Sequence, residues 1–241
     1  MNNLLSIPHK QIAIEGYLSD LTLPDIDWPY FIERRLATLE HEPELPAYLL
    51  LPEVEQLLSV TKNQTQHFLF NTIFHTGARV SEALALTRGD FHLDGRYPEI
   101  AIICSKQKRG RPSKQAAKRP KKRLIPVLDG EFIDEALRFF ASNKGGLNSP
   151  LFTINRSTVF RWVTSAIDRL EEQGTSLSIE VSPHTLRHSF AVNAILHWVP
   201  VPVLQKWLGH EDRRSTEIYT NILHTETVHF MERISYKSGI I

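Results

Sequence analysis

Two short β-branched stretches, residues 100–104 and 123–127, stand apart in a chain whose other apolar residues recur at helical spacing. They read as one hairpin with a long loop, and a single hairpin among 241 residues leaves the core to helices. The expected fold class is therefore mainly α with a small antiparallel β-sheet (α+β). Trp28, Phe31, Ile32, Leu36 and Leu39 fall at helical spacing behind an Asp27 cap. Pro52 suits the first turn of a helix, residues 64–76 form another that Gly77 stops, and a third begins near Val80. Further helices are expected at 129–142, 156–172, 183–197, 201–208, 214–221 and 224–235.

Such a length suits one large domain with an appendage. Residues 1–48 are expected to be a short N-terminal segment whose one helix packs on the main domain, formed by residues 49–241. No apolar run approaches the roughly 18 residues of a membrane helix. Met1 to Gly16 lacks the basic start and apolar stretch of a signal peptide, and Cys104 is a lone cysteine, so a cytosolic protein without membrane contact is expected.

The formal net charge of +1 conceals an uneven distribution. Lys106, Lys108, Arg109, Arg111, Lys114, Lys118, Arg119, Lys121, Lys122 and Arg123 follow one another with no acidic residue between them. Outside this segment, 18 basic residues face 27 acidic ones. A concentrated positive field on an otherwise acidic chain suits contact with phosphates. Residues 1–47, with eight acidic side chains against three basic ones, should not hold DNA.

Three further pieces carry chemistry. Residues 76–86, Thr-Gly-Ala-Arg-Val-Ser-Glu-Ala-Leu-Ala-Leu, place Arg79 just past a helix-stopping glycine and Glu82 one turn on. Residues 182–188, Ser-Pro-His-Thr-Leu-Arg-His, open a helix at Pro183 and put His184 and Arg187 on one face. Residues 208–210, Leu-Gly-His, precede Tyr219 by nine positions. His184 and His188 are also four apart, as in helical zinc pairs. Thr185 stands where a metalloprotease needs its glutamate, however, and no third ligand is evident, so no metal is assigned.

In this order the pieces resemble the tyrosine recombinase (lambda-integrase-like) family, over roughly residues 49–232. The resemblance implies the tyrosine recombinase catalytic domain fold, acting on double-stranded DNA at specific sites with no cofactor, metal or ATP. It implies that Tyr219 attacks the scissile phosphate to give a 3′-phosphotyrosine and a free 5′-hydroxyl, which keeps the bond energy for religation. Arg79 and Arg187 would clamp the non-bridging oxygens with a charged fork that lysine cannot reproduce. His184 would take the tyrosine proton, His210 would donate to the phosphate, and Glu82 would brace the site.

The acid for the leaving oxygen is, in the family, a lysine after the first hairpin strand. Here the loop departs from the usual short turn, and Lys106 fits best because it follows the strand, with Lys108 a competitor. Lys108, Arg109, Arg111, Lys114, Lys118, Arg119, Lys121 and Lys122 are expected to bind DNA. The core Arg109-Gly110-Arg111-Pro112 is similar to AT-hook peptides. This suggests that Arg109 and Arg111 enter a narrow minor groove from a loop ordered only by DNA, against the plainer reading of a basic loop tracking phosphates.

The family's usual helical DNA clamp is expected to be reduced, as in fimbrial-switch invertases and plasmid multimer resolvases, with dependence on an accessory protein. Thr225 to Ile241, with Phe230, Met231, Ile234, Ile240 and Ile241, is expected to dock on a neighbouring copy in a homotetramer on two DNA sites, or else to fold back on its own domain. Competing functions are a type IB topoisomerase and a non-catalytic DNA-binding regulator. Resolution, inversion and integration remain open.

Overall fold

The computed structural model describes residues 26–104, 122–143, 145–177 and 179–223. The chain enters through α1 (Trp28–His41), where Asp27 accepts a hydrogen bond from the Tyr30 amide at 3.1 Å, the expected cap. Trp28, Phe31, Ile32 and Leu39 pack inward, whereas Leu36 is 46% exposed and falls off that face. Arg35 of α1 is buried and paired with Glu53 of α2 (Leu51–Ser59), and Glu53 also accepts from the Leu50 amide. The pair ties α1 to the main domain, because neither charge has water to return to.

The helix α3 (Gln64–Thr76) is capped by Asn63 and stopped by Gly77 in the left-handed conformation, at φ 58°. Phe68 on this helix is the hub of the larger apolar core. Its ring lies 4.4 Å from Phe139 and about 6 Å from Phe91, Phe132, Phe140 and Phe152. The third expected helix, α4 (Val80–Ala83), lasts one turn. Its successor is a 3-10 turn, Arg88–Asp90, in which Asp90 accepts from both the amide and the hydroxyl of Thr87.

The expected hairpin is present as β2 (Glu99–Ile103) and β3 (Lys122–Pro126), antiparallel with Ile100 opposite Ile125 and Ile102 opposite Arg123. A short strand, β1 (Phe91–His92), adds to the far edge of β2 and makes a three-stranded sheet. Alternation along β3 points Arg123 and Ile125 inward and leaves Lys122 and Leu124 outside.

Next come α5 (Gly130–Ser142), α6 (Arg156–Glu172), α7 (Pro183–Leu196) and α8 (Val201–Leu208). Leu186 of α7 joins the larger core. Ala191, Val192 and Ile195 join a second apolar cluster with Leu204, Leu208, Tyr219 and Ile222, and α1 covers this cluster. The helix expected at 214–221 changes character. After α9 (Arg214–Glu217) the chain tightens into a 3-10 helix, Ile218–Leu223. Residues three apart eclipse in that geometry, so Tyr219 and Ile222 are buried on the same side.

The helix expected at 224–235 and the loop from Lys106 to Lys121 lie outside the described residues. Among the described residues, no helix is long and apolar enough to cross a membrane.

Candidate active site

Two glycine-stopped helices aim their last carbonyls at one arginine. Gly77 ends α3 at φ 58° and Gly209 ends α8 at φ 64°, and each turn exposes carbonyls that have no partner within their own helix. Arg187, which is 4% exposed, donates through Nη1 to the Gly77 carbonyl and through Nη2 to the Leu208 carbonyl at 2.8 Å. The negative ends of two helix dipoles thus face a buried cation and compensate part of its lost hydration. Burial, followed by the nearby charges of Arg79 and Arg123, still lowers its pKa to about 9, so Arg187 stays charged at neutral pH. The glycines of both motifs are required by this geometry. A Cβ on Gly77 would run into the ring of Phe190, and one on Gly209 would sit 3.2 Å from Arg123 Nη1.

His210, just past Gly209, also meets Arg187. Its Nε2 lies 2.9 Å from Arg187 Nη2 and its Nδ1 lies 2.9 Å from Thr216 Oγ1. Arginine can only donate, so Nε2 accepts and the proton sits on Nδ1, shared with Thr216. Burial, then Arg187 and Arg79, lowers the His210 pKa to about 4 and keeps the ring neutral. Donation from Nε2 to a phosphate therefore requires Arg187 to turn away from His210 and a proton to move onto Nε2.

Glu82 braces Arg79 and a second arginine together. It is 4% exposed, accepts from the Arg79 amide at 2.9 Å and from Arg79 Nη1 at 3.1 Å, and receives Arg123 Nη1 and Nη2 at 3.2 and 2.6 Å. Burial pushes the Glu82 pKa up, but the Arg123 bonds outweigh it and bring it to about 2. The Arg79 side chain stays 37% exposed, so its fork is open to a ligand. Arg123 Nη1 also lies 3.6 Å from Cys104 Sγ, which places the root of the basic loop against this cluster.

The Tyr219 ring is 1% exposed in the second cluster, and its hydroxyl lies 2.7 Å from Nδ1 of His188. Burial raises the Tyr219 pKa to about 12, with Arg187 opposing the rise. His184 makes no hydrogen bond with another described residue, and its pKa is lowered by burial, then by Arg156, Arg187 and Arg79.

Of the residues singled out by sequence, the fold brings together Arg79, Glu82, His184, Arg187, His210 and Tyr219. Lys106, Lys108, Arg109, Arg111, Lys114, Lys118, Arg119 and Lys121 lie outside the described residues. Lys122 points outward with its Nζ 3.3 Å from Asp90. Sequence reasoning missed His188, Arg123, Thr216 and the exposed Arg156. His188 was weighed only as a metal ligand, and among the described residues no cluster of three or more His, Cys, Asp or Glu is placed to hold a metal. Arg123 was counted with the basic run, although its two-residue alternation with Ile125 and Val127 marks it as inward-facing.

A cluster that gathers permanent positive charge beside a buried phenol suits a nucleophilic attack on phosphorus. Residues 48–226 match the Phage integrase family, and the chain belongs to it. A "Probable site-specific recombinase in afa region" from Escherichia coli is 35% identical over 202 residues, 83% of this chain and 79% of the relative. A "Resolvase" from Escherichia coli is 33% identical over 212 residues, 82% of this chain and 81% of the relative. In fold, the chain is similar to the XerH site-specific recombinase crystallised with its difH substrate, with a TM-score of 0.56 and 23% identity over 79% of this chain. The match spans 53% of the XerH chain.

Proposed function

We propose that this protein is a site-specific DNA recombinase that cuts and rejoins strands through Tyr219. The observation that carries the reading is the convergence of Arg187, Arg79, His210 and Tyr219 in one cluster, although their positions span 141 residues of sequence. Arg79 and Arg187 hold the non-bridging oxygens of the scissile phosphate and stabilise the charge that builds on them as the phosphorane forms. Tyr219 Oη bonds to phosphorus, the bond to the 5′-oxygen breaks, and a 3′-phosphotyrosine remains. Attack by another 5′-hydroxyl reverses the step on a new partner. His184, neutral and next to Arg79 and Arg187, lines the phosphate site.

Lys106 is assigned as the acid that protonates the leaving 5′-oxygen. Lys106 follows the first hairpin strand most directly. Cys104 Sγ lies 3.6 Å from Arg123, and two residues of chain tether the Lys106 backbone within about 7 Å of Cys104, whereas Lys108 is tethered only within about 14 Å. The run from Lys108 to Lys122 supplies phosphate contacts beside the cut, with Arg109 and Arg111 in the minor groove.

Relatives named as a site-specific recombinase and a resolvase support recombination at specific DNA sites. The reading extends to a homotetramer on two sites, with an accessory protein, in the cytoplasm. The groove of about 810 Å³ between α2, α3, α5 and α7 supports an exchange of tails between copies. Leu51, Val54, Leu58 and Phe190 are among its lining residues and suit apolar residues such as Phe230, Met231 and Ile234 of a neighbour. The helix α1 acts as an appendage packed on the second apolar cluster.

The test is covalent capture. Wild-type protein is mixed with nicked duplexes carrying a randomised target region, and bands that survive detergent are sequenced. The reading expects a preferred site, with exchange between two copies of it. Relaxation of supercoiled DNA that lacks the site would point to a topoisomerase, and unchanged function in Tyr219→Phe would point to a regulator.

A further inference from the structure

We infer that His188 is the proton acceptor for Tyr219 during DNA cleavage, a catalytic role that rests on the recombinase reading above. The geometry leads to this assignment in three steps. Tyr219 is 1% exposed, so its phenolic proton has no bulk water to enter and needs an acceptor within the protein. His188 Nδ1, at 2.7 Å, is the one acceptor among the described residues that meets the hydroxyl. His184, one turn earlier on α7, makes no bond to that oxygen and lies within electrostatic reach of Arg156, Arg187 and Arg79.

The surroundings of His188 keep the nucleophile inert until a phosphate is seated. Burial, then Arg187 and His184, lowers the His188 pKa to about 4, so the ring is neutral and Nδ1 offers a lone pair. The groups that face it are Arg187 and His184 of α7, Tyr219 of the 3-10 helix and His210 after α8, whose ring feels His188 in turn. With the Tyr219 pKa at about 12, no proton moves in the free protein. A phosphate held on Arg187 offsets that positive charge and makes His188 more basic, while the phenol becomes more acidic as its oxygen bonds to phosphorus.

The step balances. The O–H bond of Tyr219 breaks as the O–P bond forms, the proton passes to His188 Nδ1, and Nε2 keeps the proton of the neutral tautomer. The P–O5′ bond breaks, and its electron pair stays on the 5′-oxygen, which takes a proton from the acid assigned to Lys106. Religation runs the same transfers backwards and restores neutral His188.

The experiment measures the rate of adduct formation on a nicked suicide duplex captured by the wild-type protein, from about pH 6 to about pH 10, with and without imidazole. His188→Ala is expected to slow cleavage about 100-fold or more at neutral pH, to recover partly with imidazole, and to close the gap as pH rises. His184→Ala is expected to show neither recovery nor narrowing. His188→Asn fills the site and offers a hydrogen-bond acceptor that cannot take the proton, so it should be as slow as His188→Ala. A wild-type rate in either His188 variant overturns the inference. So does a loss that is constant with pH and indifferent to imidazole, or the appearance of both signatures in His184→Ala. If wild type forms no adduct, the recombinase reading fails instead, whatever His188 does.

Discussion

Arg123 of β3 grips Glu82 of α4 with both terminal nitrogens, at 2.6 and 3.2 Å, and so fastens the basic hairpin to the segment that presents Arg79. Both residues are buried, so neither partner can be removed without stranding a charge. Glu82→Gln is expected to destabilise the fold by about 3–5 kcal/mol. Arg123→Lys should lose much of the same stability, because an ammonium group cannot reproduce the two-pronged contact. Urea denaturation of the single and double variants checks this, with a coupling near zero as the contrary result.

Gly77 gives α3 its left-handed stop and hands its carbonyl to Arg187. Gly77→Ala meets a backbone cost of about 1–2 kcal/mol and, in addition, a collision with the Phe190 ring. The variant is expected to melt earlier and, where still folded, to cut DNA more slowly because Arg187 loses one of its anchors. Wild-type melting and cleavage would show that the turn tolerates a side chain.

Arg187→Lys tests the fork itself. Lysine keeps a charge but cannot hold the Gly77 and Leu208 carbonyls, His210 and a phosphate oxygen together. A loss of about 100-fold or more in cleavage rate is expected, with DNA affinity reduced far less. An equal fall in both would assign Arg187 to binding alone.

His188 and His210 are held neutral, with folded pKa values of about 4 against an ordinary value of 6.5. On unfolding, each takes up a proton below pH 6.5. Their contribution is therefore complete above that pH and is lost as pH falls towards 4. Discounting the more open His210 for solvent screening, the two together cost about 3 kcal/mol of stability between pH 7 and pH 5. Glu82 acts lower, between its ordinary 4.5 and about 2. Denaturation midpoints measured at the two upper pH values check this, and His188→Asn should flatten the slope.

Much of this was legible in the sequence where local chemistry decides the outcome. The limits of α6 and α8 follow from Asn155 at one start and Gly209 at one end, and the hairpin from its β-branched runs. The two-residue strand β1 is too short for any periodicity to mark it. The change at Ile218 was not visible either, because it is set by burial of Tyr219 and Ile222 against α7 and α1 rather than by their own propensities. At the site, the motif residues were found but their partners were not. His188, Arg123 and Thr216 act through contacts 31, 41 and 6 positions away, and only folding reveals them.

The proposed reaction joins the Tyr219 hydroxyl to DNA. Protease digestion of the captured adduct, followed by mass spectrometry of the nucleotide-bearing peptide, measures this directly. A 3′-phosphate ester on Tyr219, absent from Tyr219→Phe, is the predicted result. An adduct on another residue, or one that persists in Tyr219→Phe, would contradict it.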